Sequence, residues 1–154
     1  MHNDGLAADY LLRAGHRLKA VELLFQLESW ADVVRESQEV VEMCLRALLR
    51  AHGIEAPRIH DVSGVLEENR DRFAGTISDH LGELMEISRS LRRDRELAFY
   101  GSEDLTPSDF YRKPDAQEVL EQATLVLQVV SESPEGSSDG SQRSPVYPRR
   151  RSRR

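Results

Sequence analysis

Residues 30–49 read WADVVRESQEVVEMCLRALL, and this stretch predicts a long amphipathic helix. Its apolar side chains recur at helical spacing on one side, namely Val34, Val41, Leu45, Leu48 and Leu49. The helix should begin near Ser29, with Asp32 in the first turn, where a carboxylate interacts favourably with the helix dipole. It should end at Gly53, because glycine is typical of the position just past a helix. Such a helix needs partners that cover its apolar side.

The rest of the chain supplies these partners as three further helices with apolar stripes. The first should span about residues 5–27, another should run from Thr76 or Ser78 to Gly101, and the last should open at Pro114 and Asp115. The three stripes consist of Leu6, Tyr10, Ala14, Leu18, Val21 and Phe25; Ile77, Leu81, Leu84, Leu91 and Ala98; and Val119, Leu120, Ala123, Leu127 and Val130.

Two short segments should connect the long helices. Asp61 or Ser63 can cap a short helix that holds Val65 and Leu66. Residues 106–109, Thr-Pro-Ser-Asp, read as a cap, a first-turn proline and an acid at the third position, which predicts a helical turn.

These elements define the fold class and the domain. No segment alternates with period two, so no strand is predicted. Four substantial helices with short connections indicate an all-α, antiparallel four- to five-helix up-and-down bundle over residues 5–130. Residues 131–154 are rich in Ser, Gly, Pro and Arg and carry no apolar stripe, so they should form a disordered tail.

The charge and composition exclude several classes of protein. The chain carries a net charge of −6, but residues 131–154 contain six arginines and three carboxylates, which leaves residues 1–130 at −9. An acidic domain lacks the broad basic face of a dedicated duplex-DNA binder. No apolar run is long enough to span a membrane, and no secretory signal precedes the first helix. The single cysteine, Cys44, should lie in the core, and a cytoplasmic location is predicted.

The segment RELAFYG, residues 95–101, closes the helix that begins near residue 76. Stepping by three and four along its apolar stripe also reaches Arg95. A guanidinium that projects towards a bundle interior or a partner is costly unless a carboxylate, a carbonyl, a phosphate or an aromatic face receives it. Arg95 is therefore a candidate anion contact, with a structural ion pair as the alternative. Tyr100 could stack on a base or simply pack.

Three stretches together resemble the HEPN family of small helical bundles, which are found with minimal nucleotidyltransferases and in RNA-acting systems. They are residues 30–49, with a glutamine and acids before a leucine-rich end; residues 53–62, with a glycine, a proline and a His-Asp turn; and the opening segment together with Asp115 and Ala116. The resemblance covers roughly residues 6–130. It implies a homodimer, since two copies of such domains usually meet at the functional site.

The resemblance also points to the Arg95 segment. Ribonuclease members of the family carry an arginine, four to six residues and a histidine near the end of a late helix; here Arg95 matches the arginine and Tyr100 stands at the histidine position. Tyrosine, with an ordinary pKa of about 10, shuttles protons poorly at neutral pH, whereas histidine titrates there. Because general acid–base catalysis contributes about 10²–10⁴-fold, a degenerate nuclease motif with weak or no activity is predicted. A literal match to the spacing, Arg46 to His52, ends the second helix instead.

Four other polar residues are candidate ligand contacts. Gln38 and Glu42 lie one turn apart on the second helix, where they could hold a substrate or make an inter-helix contact. His60 and Asp61 could line a groove or cap the third helix. The five histidines show no cysteine partners and no paired ligand spacing, so neither a metal site nor a cofactor is predicted.

Three functions remain open on this basis. The first is a non-enzymatic module that binds a nucleotide or RNA, or pairs with a nucleotidyltransferase in a toxin–antitoxin type system. The second is an active, metal-independent ribonuclease toxin. The third is a purely structural dimerisation domain.

Overall fold

The computed structural model describes the backbone of residues 4–100 and 106–133 and the side chains of residues 5–90 and 106–133. Within these ranges the chain is all-α and contains no strand, as predicted. The helices are α1 (Asp4–Gln26), α2 (Trp30–Ala51), α3 (Ser63–Glu68), a 3₁₀ turn (Arg70–Arg72), α4 (Gly75–Tyr100), α5 (Pro107–Phe110) and α6 (Lys113–Glu132). The four long helices form the bundle, while α3, the 3₁₀ turn and α5 serve as connections.

Helix α2 is the centre of the bundle. Its predicted apolar residues are all buried at 1% exposure or less: Val34, Val41, Leu45, Leu48 and Leu49. However, α2 is buried on more than one side, because α1, α4 and α6 all pack against it. Val33, Val40 and Cys44 are fully buried as well. The sequence pattern identified the helix and its most apolar side but not its central position.

The stripes of the surrounding helices face this core where they are described. Buried members of the predicted stripes are Ala14, Leu18 and Val21 on α1, Ile77, Leu81 and Leu84 on α4, and Ala123 and Val130 on α6. Helix α6 also buries Ala116, Val126 and Val129, which the predicted stripe omits. The side chains of Leu91 and Ala98 lie outside the described residues.

The end of α2 has the capping geometry that its glycine predicts. Gly53 has a φ of +68°, and its N–H donates to the carbonyl of Arg50 at 3.0 Å. The next N–H, from Ile54, reaches back to the carbonyl of Leu49 at 2.9 Å. These two bonds form a Schellman motif, which satisfies the last carbonyls of the helix and turns the chain sharply.

Other boundaries differ slightly from the predicted ones. Helix α4 begins at Gly75, before Thr76, and it is described as far as Tyr100, so its predicted end at Gly101 lies outside the described residues. Helix α6 continues through Glu132, past the predicted domain end at residue 130. Residues 134–154, the bulk of the predicted tail, lie outside the described residues.

Candidate functional site

A polar contact joins the second helix to the loop that precedes α3. His60 Nδ1 lies 2.7 Å from Glu42 Oε1. The Glu42 side chain is 10% exposed and the His60 side chain 50% exposed, so the pair connects the interior to the surface. The sequence analysis gave both residues as separate candidates, and the fold brings them into contact although they are 18 residues apart in the chain. Glu42 therefore contacts a loop, and not a neighbouring helix, through this bond.

Asp61 fixes the same loop to α4 through a serine. Its Oδ1 accepts from the backbone N–H of Ser63 at 2.9 Å and from the hydroxyl of Ser88 at 3.2 Å. The Ser88 hydroxyl in turn accepts from the N–H of Val62 at 3.0 Å. The N-cap residue of α3 is Val62, which makes no side-chain capping bond. Asp61, the residue before Val62, instead accepts the hydrogen bond from the first N–H of the helix. The expected capping role is thus present in a shifted form.

The electrostatics of Asp61 favour its charged form. Burial raises the pKa of the carboxyl group, but the hydrogen bonds from Ser63 and Ser88 and the positive charge of Arg89 outweigh that effect. The pKa of Asp61 consequently lies below its ordinary value. The carboxylate is ionised at neutral pH and holds the loop as a charged acceptor.

Gln38 stands one turn before Glu42 on α2 and is 1% exposed. In the part of the chain that the structure describes, its Oε1 has no hydrogen-bond partner, and neither does Oγ of the neighbouring Ser37, which is also buried. Leaving a buried polar atom unpaired costs about 1–3 kcal/mol, so most such atoms find a partner. Gln38 therefore offers an unused acceptor beside the Glu42–His60 contact.

Arg95 and Tyr100 lie on the helical backbone of α4, but their side chains fall outside the described residues. Their proposed roles stay predictions. What the structure gives is their register, because the described part of the α4 stripe continues through Ser88, which is fully buried. Arg95 follows Ser88 by seven residues, which is nearly two helical turns.

The literal arginine–histidine match at the end of α2 does not form an accessible pair. His52 is 9% exposed, its Nδ1 lies 2.8 Å from the carbonyl oxygen of Leu48, and its ring packs edge-on against Phe73 at 4.8 Å. A ring held in this way serves packing at the end of the helix. Arg46 faces a different surface, described below.

The buried Cys44 thiol is equally unsuited to chemistry, because burial raises its pKa to about 12. The sequence placed this residue in the core, and the structure confirms that position. Among the described residues, no three His, Cys, Asp or Glu side chains are grouped so that they could hold a metal ion.

Sequence reasoning missed Ser88, which links the loop to α4. A serine on an apolar stripe gives no periodic signal of its own, and its partners lie 26 and 27 residues earlier in the chain. The heptad-like spacing of Leu81, Leu84 and Ser88 was the available clue, since it marks a polar residue at a core position.

An all-α helical bundle is what the HEPN resemblance implies, and the described part of the chain has that fold. The HEPN domain family model matches residues 7–133, and the chain belongs to this family. A Methanocaldococcus jannaschii protein named "Putative toxin MJ1304" is 27% identical over 129 residues, which cover 80% of this chain and 84% of that protein. The comparison with solved structures finds no significant match. No helix in the described residues is both long enough and apolar enough to cross a membrane.

Proposed function

We propose that this chain is a HEPN module that binds a nucleotide or RNA without cutting it, and that it works as the toxin-type partner of a nucleotidyltransferase. Arg95 is the anion contact in this proposal, and Tyr100 positions or stacks on the ligand. The proposal includes a homodimer, as the family resemblance implies.

The register of α4 carries the proposal. Its stripe is buried at Ile77, Leu81, Leu84 and Ser88, each exposed by 1% or less. The same spacing of three and four leads to Arg95, so the Cα atom of Arg95 lies on the helix face that bears Ser88. Ser88 contacts the Asp61 loop. In this proposal Arg95 belongs to the bundle-facing side of α4, where an anionic ligand or a carboxylate compensates its charge.

The polar groups around that face supply further recognition. His60 is half exposed and already oriented by Glu42, and Gln38 has an acceptor without a partner in the described chain. An exposed imidazole together with an arginine suits a ligand with both phosphate and hydrogen-bonding base edges. This combination favours a nucleotide or a single RNA strand over a simple inorganic anion.

The toxin-type role has separate support. The archaeal relative bears the name of a toxin, and the match covers most of both chains. The histidine that ribonuclease members use is replaced by Tyr100 here, which favours binding over cleavage. A partner nucleotidyltransferase follows from the family resemblance.

The test is a binding titration of purified protein with fluorescently labelled single-stranded RNA and, separately, with a labelled adenine nucleotide. Arg95→Ala should weaken binding by about tenfold or more, because it removes a charge-assisted contact. Arg93→Ala is the matched control, since it removes the same charge about 200° around α4. Equal effects of the two variants would refute the anion role of Arg95, and a wild-type protein without affinity for either probe would favour the structural alternative.

A further inference from the structure

A second basic feature lies at the C-terminal end of α2, outside the proposed ligand site. Here a cleft of about 1010 Å³ is lined by Arg46 and Arg50 from α2, Tyr10 from α1, and Glu55 and Arg58 from the following loop. The Schellman motif at Gly53 sets the course of this loop, because it reverses the chain and returns residues 54–58 alongside the end of the helix.

The three arginines of the cleft are not neutralised within the described chain. None of Arg46, Arg50 and Arg58 has a carboxylate oxygen within 4.0 Å there. Glu55 contributes the one negative side chain of the lining, so the cleft keeps an excess of positive charge in a domain that is otherwise acidic. Like charges gathered this way repel one another, and a bound anion would relieve that repulsion.

Arg50 is the most constrained of the three. Its guanidinium carbon lies 5.5 Å from the centroid of the Tyr10 ring, in a cation–π contact that orients the group. Its Nε is buried and, in the described part of the chain, has no hydrogen-bond partner. A buried guanidinium N–H without a partner is costly.

The position of two arginines near the end of α2 also has a simpler explanation. Cations near a helix C-terminus interact favourably with the helix dipole. That effect does not account for Arg58, which belongs to the loop, or for the unpaired Nε of Arg50. The convergence of both elements on one cleft therefore points to a ligand.

We infer that this cleft binds phosphate groups, either of a free nucleotide or of an RNA strand. Arginine matches phosphate through planar, bidentate hydrogen bonds, and three arginines together suit a group with more than one negative charge. The inference uses none of the residues of the proposed ligand site, so it goes beyond the proposed function and is tested independently of it.

The experiment measures binding of three probes to the full-length chain by calorimetry: inorganic pyrophosphate, ADP and a short single-stranded RNA. Arg46→Gln and Arg58→Gln should each weaken binding of the responding probes by about tenfold or more. Lys19→Gln is the control for net charge, because Lys19 is an exposed cation on α1 with its side chain 81% exposed. Circular dichroism of each variant confirms that the fold is retained.

The three probes distinguish the sources of the phosphate. Binding of pyrophosphate and ADP identifies a site for a free nucleotide. Binding of the RNA but of neither small probe identifies a site for the backbone of an RNA strand. The same titrations in an Arg95→Ala background separate this cleft from the proposed ligand site, because Arg46→Gln and Arg58→Gln should weaken pyrophosphate binding there as well. The inference is overturned if no probe binds, or if Arg46→Gln and Arg58→Gln change the affinity no more than Lys19→Gln does.

Discussion

At the scale of single residues, the ends of α1 and α2 show the same capping geometry with different side chains. Glu28 has a φ of +59°, its N–H donates to Phe25, and the N–H of Ser29 reaches the carbonyl of Leu24. Gly53 holds the equivalent place after α2, with a φ of +68°. Only glycine adopts this backbone region without a steric cost, so α1 ends with strain that α2 avoids.

Substitutions at these two positions should therefore act in opposite directions. We expect Gly53→Ala to lower the free energy of unfolding by about 1 kcal/mol and Glu28→Gly to raise it by up to about 1 kcal/mol. Urea denaturation followed by circular dichroism measures both. Glu28→Ala is the control, because it removes the charge and keeps a Cβ. A Glu28→Gly protein less stable than Glu28→Ala would contradict the assignment of strain.

The two caps also show what a sequence reveals at this scale. Gly53 could be predicted because glycine after an apolar helix is a local signal with a local cause. Glu28 carries no such signal, since the conformation is imposed by the packing of α1 on α2 through a short connection. The burial of Cys44 was predictable from its place between Val41 and Leu48, and it is confirmed.

At the scale of elements, the loop before α3 is fixed to two helices at once. Glu42 of α2 holds His60, and Ser88 of α4 holds Asp61. The loop thereby keeps its shape without a regular element of its own. Hydrogen bonds within the protein that fix such a loop reduce the conformational entropy that binding would cost.

The lowered pKa of Asp61 makes this attachment dependent on pH. A carboxyl group with a depressed folded-state pKa stabilises the fold above its unfolded pKa of about 4, and that stabilisation is lost as the pH falls through the folded-state pKa. Asp61→Asn keeps an acceptor for the Ser63 N–H but removes the charge. We expect wild type to be the more stable at pH 7, with the difference shrinking below pH 4.

Urea midpoints of both proteins between pH 3 and pH 7 measure this difference. A gap between the two proteins that stays constant over this range would contradict the role of the Asp61 charge. Asp109→Asn serves as a comparison, because the pKa of Asp109 is also lowered, here by hydrogen bonds from Thr106 at the exposed start of α5.

The pairing of these elements was less predictable than the elements themselves. The sequence singled out Gln38, Glu42, His60 and Asp61, yet it did not indicate that Glu42 would meet His60 or that Asp61 would meet Ser88. Both contacts depend on the path of the loop beside α2, and Leu66 and Phe73, which follow this loop in the chain, pack in the core. Long-range contacts of this kind leave no periodic trace in the chain.

At the scale of the whole molecule, one helix organises both candidate sites. Helix α2 holds His60 of the loop through Glu42, and about one turn further on Arg46 and Arg50 line the cleft beside Tyr10. The bundle could be predicted because each of the four long helices carries an apolar stripe, and such helices with short connections pack as a bundle. The cleft could not, because it depends on where a Schellman motif directs the loop after α2.

The family to which the chain belongs bears directly on the choice between binding and cleavage of RNA. The chain is a HEPN protein. In our proposal Tyr100 stands where ribonuclease members of the family carry a histidine, and this difference separates binding from cleavage. The central claim is therefore that the protein holds RNA and leaves it intact.

The fate of bound RNA distinguishes binding from cleavage. End-labelled single-stranded RNA is incubated with an excess of the full-length protein in the absence of added metal, and bound RNA is recovered and resolved by size. We expect RNA that is retained by the wild-type protein, bound more weakly by Arg95→Ala, and recovered at full length in both cases. Fragments that appear with the wild-type protein and disappear with Arg95→Ala would contradict it and identify the chain as an active ribonuclease.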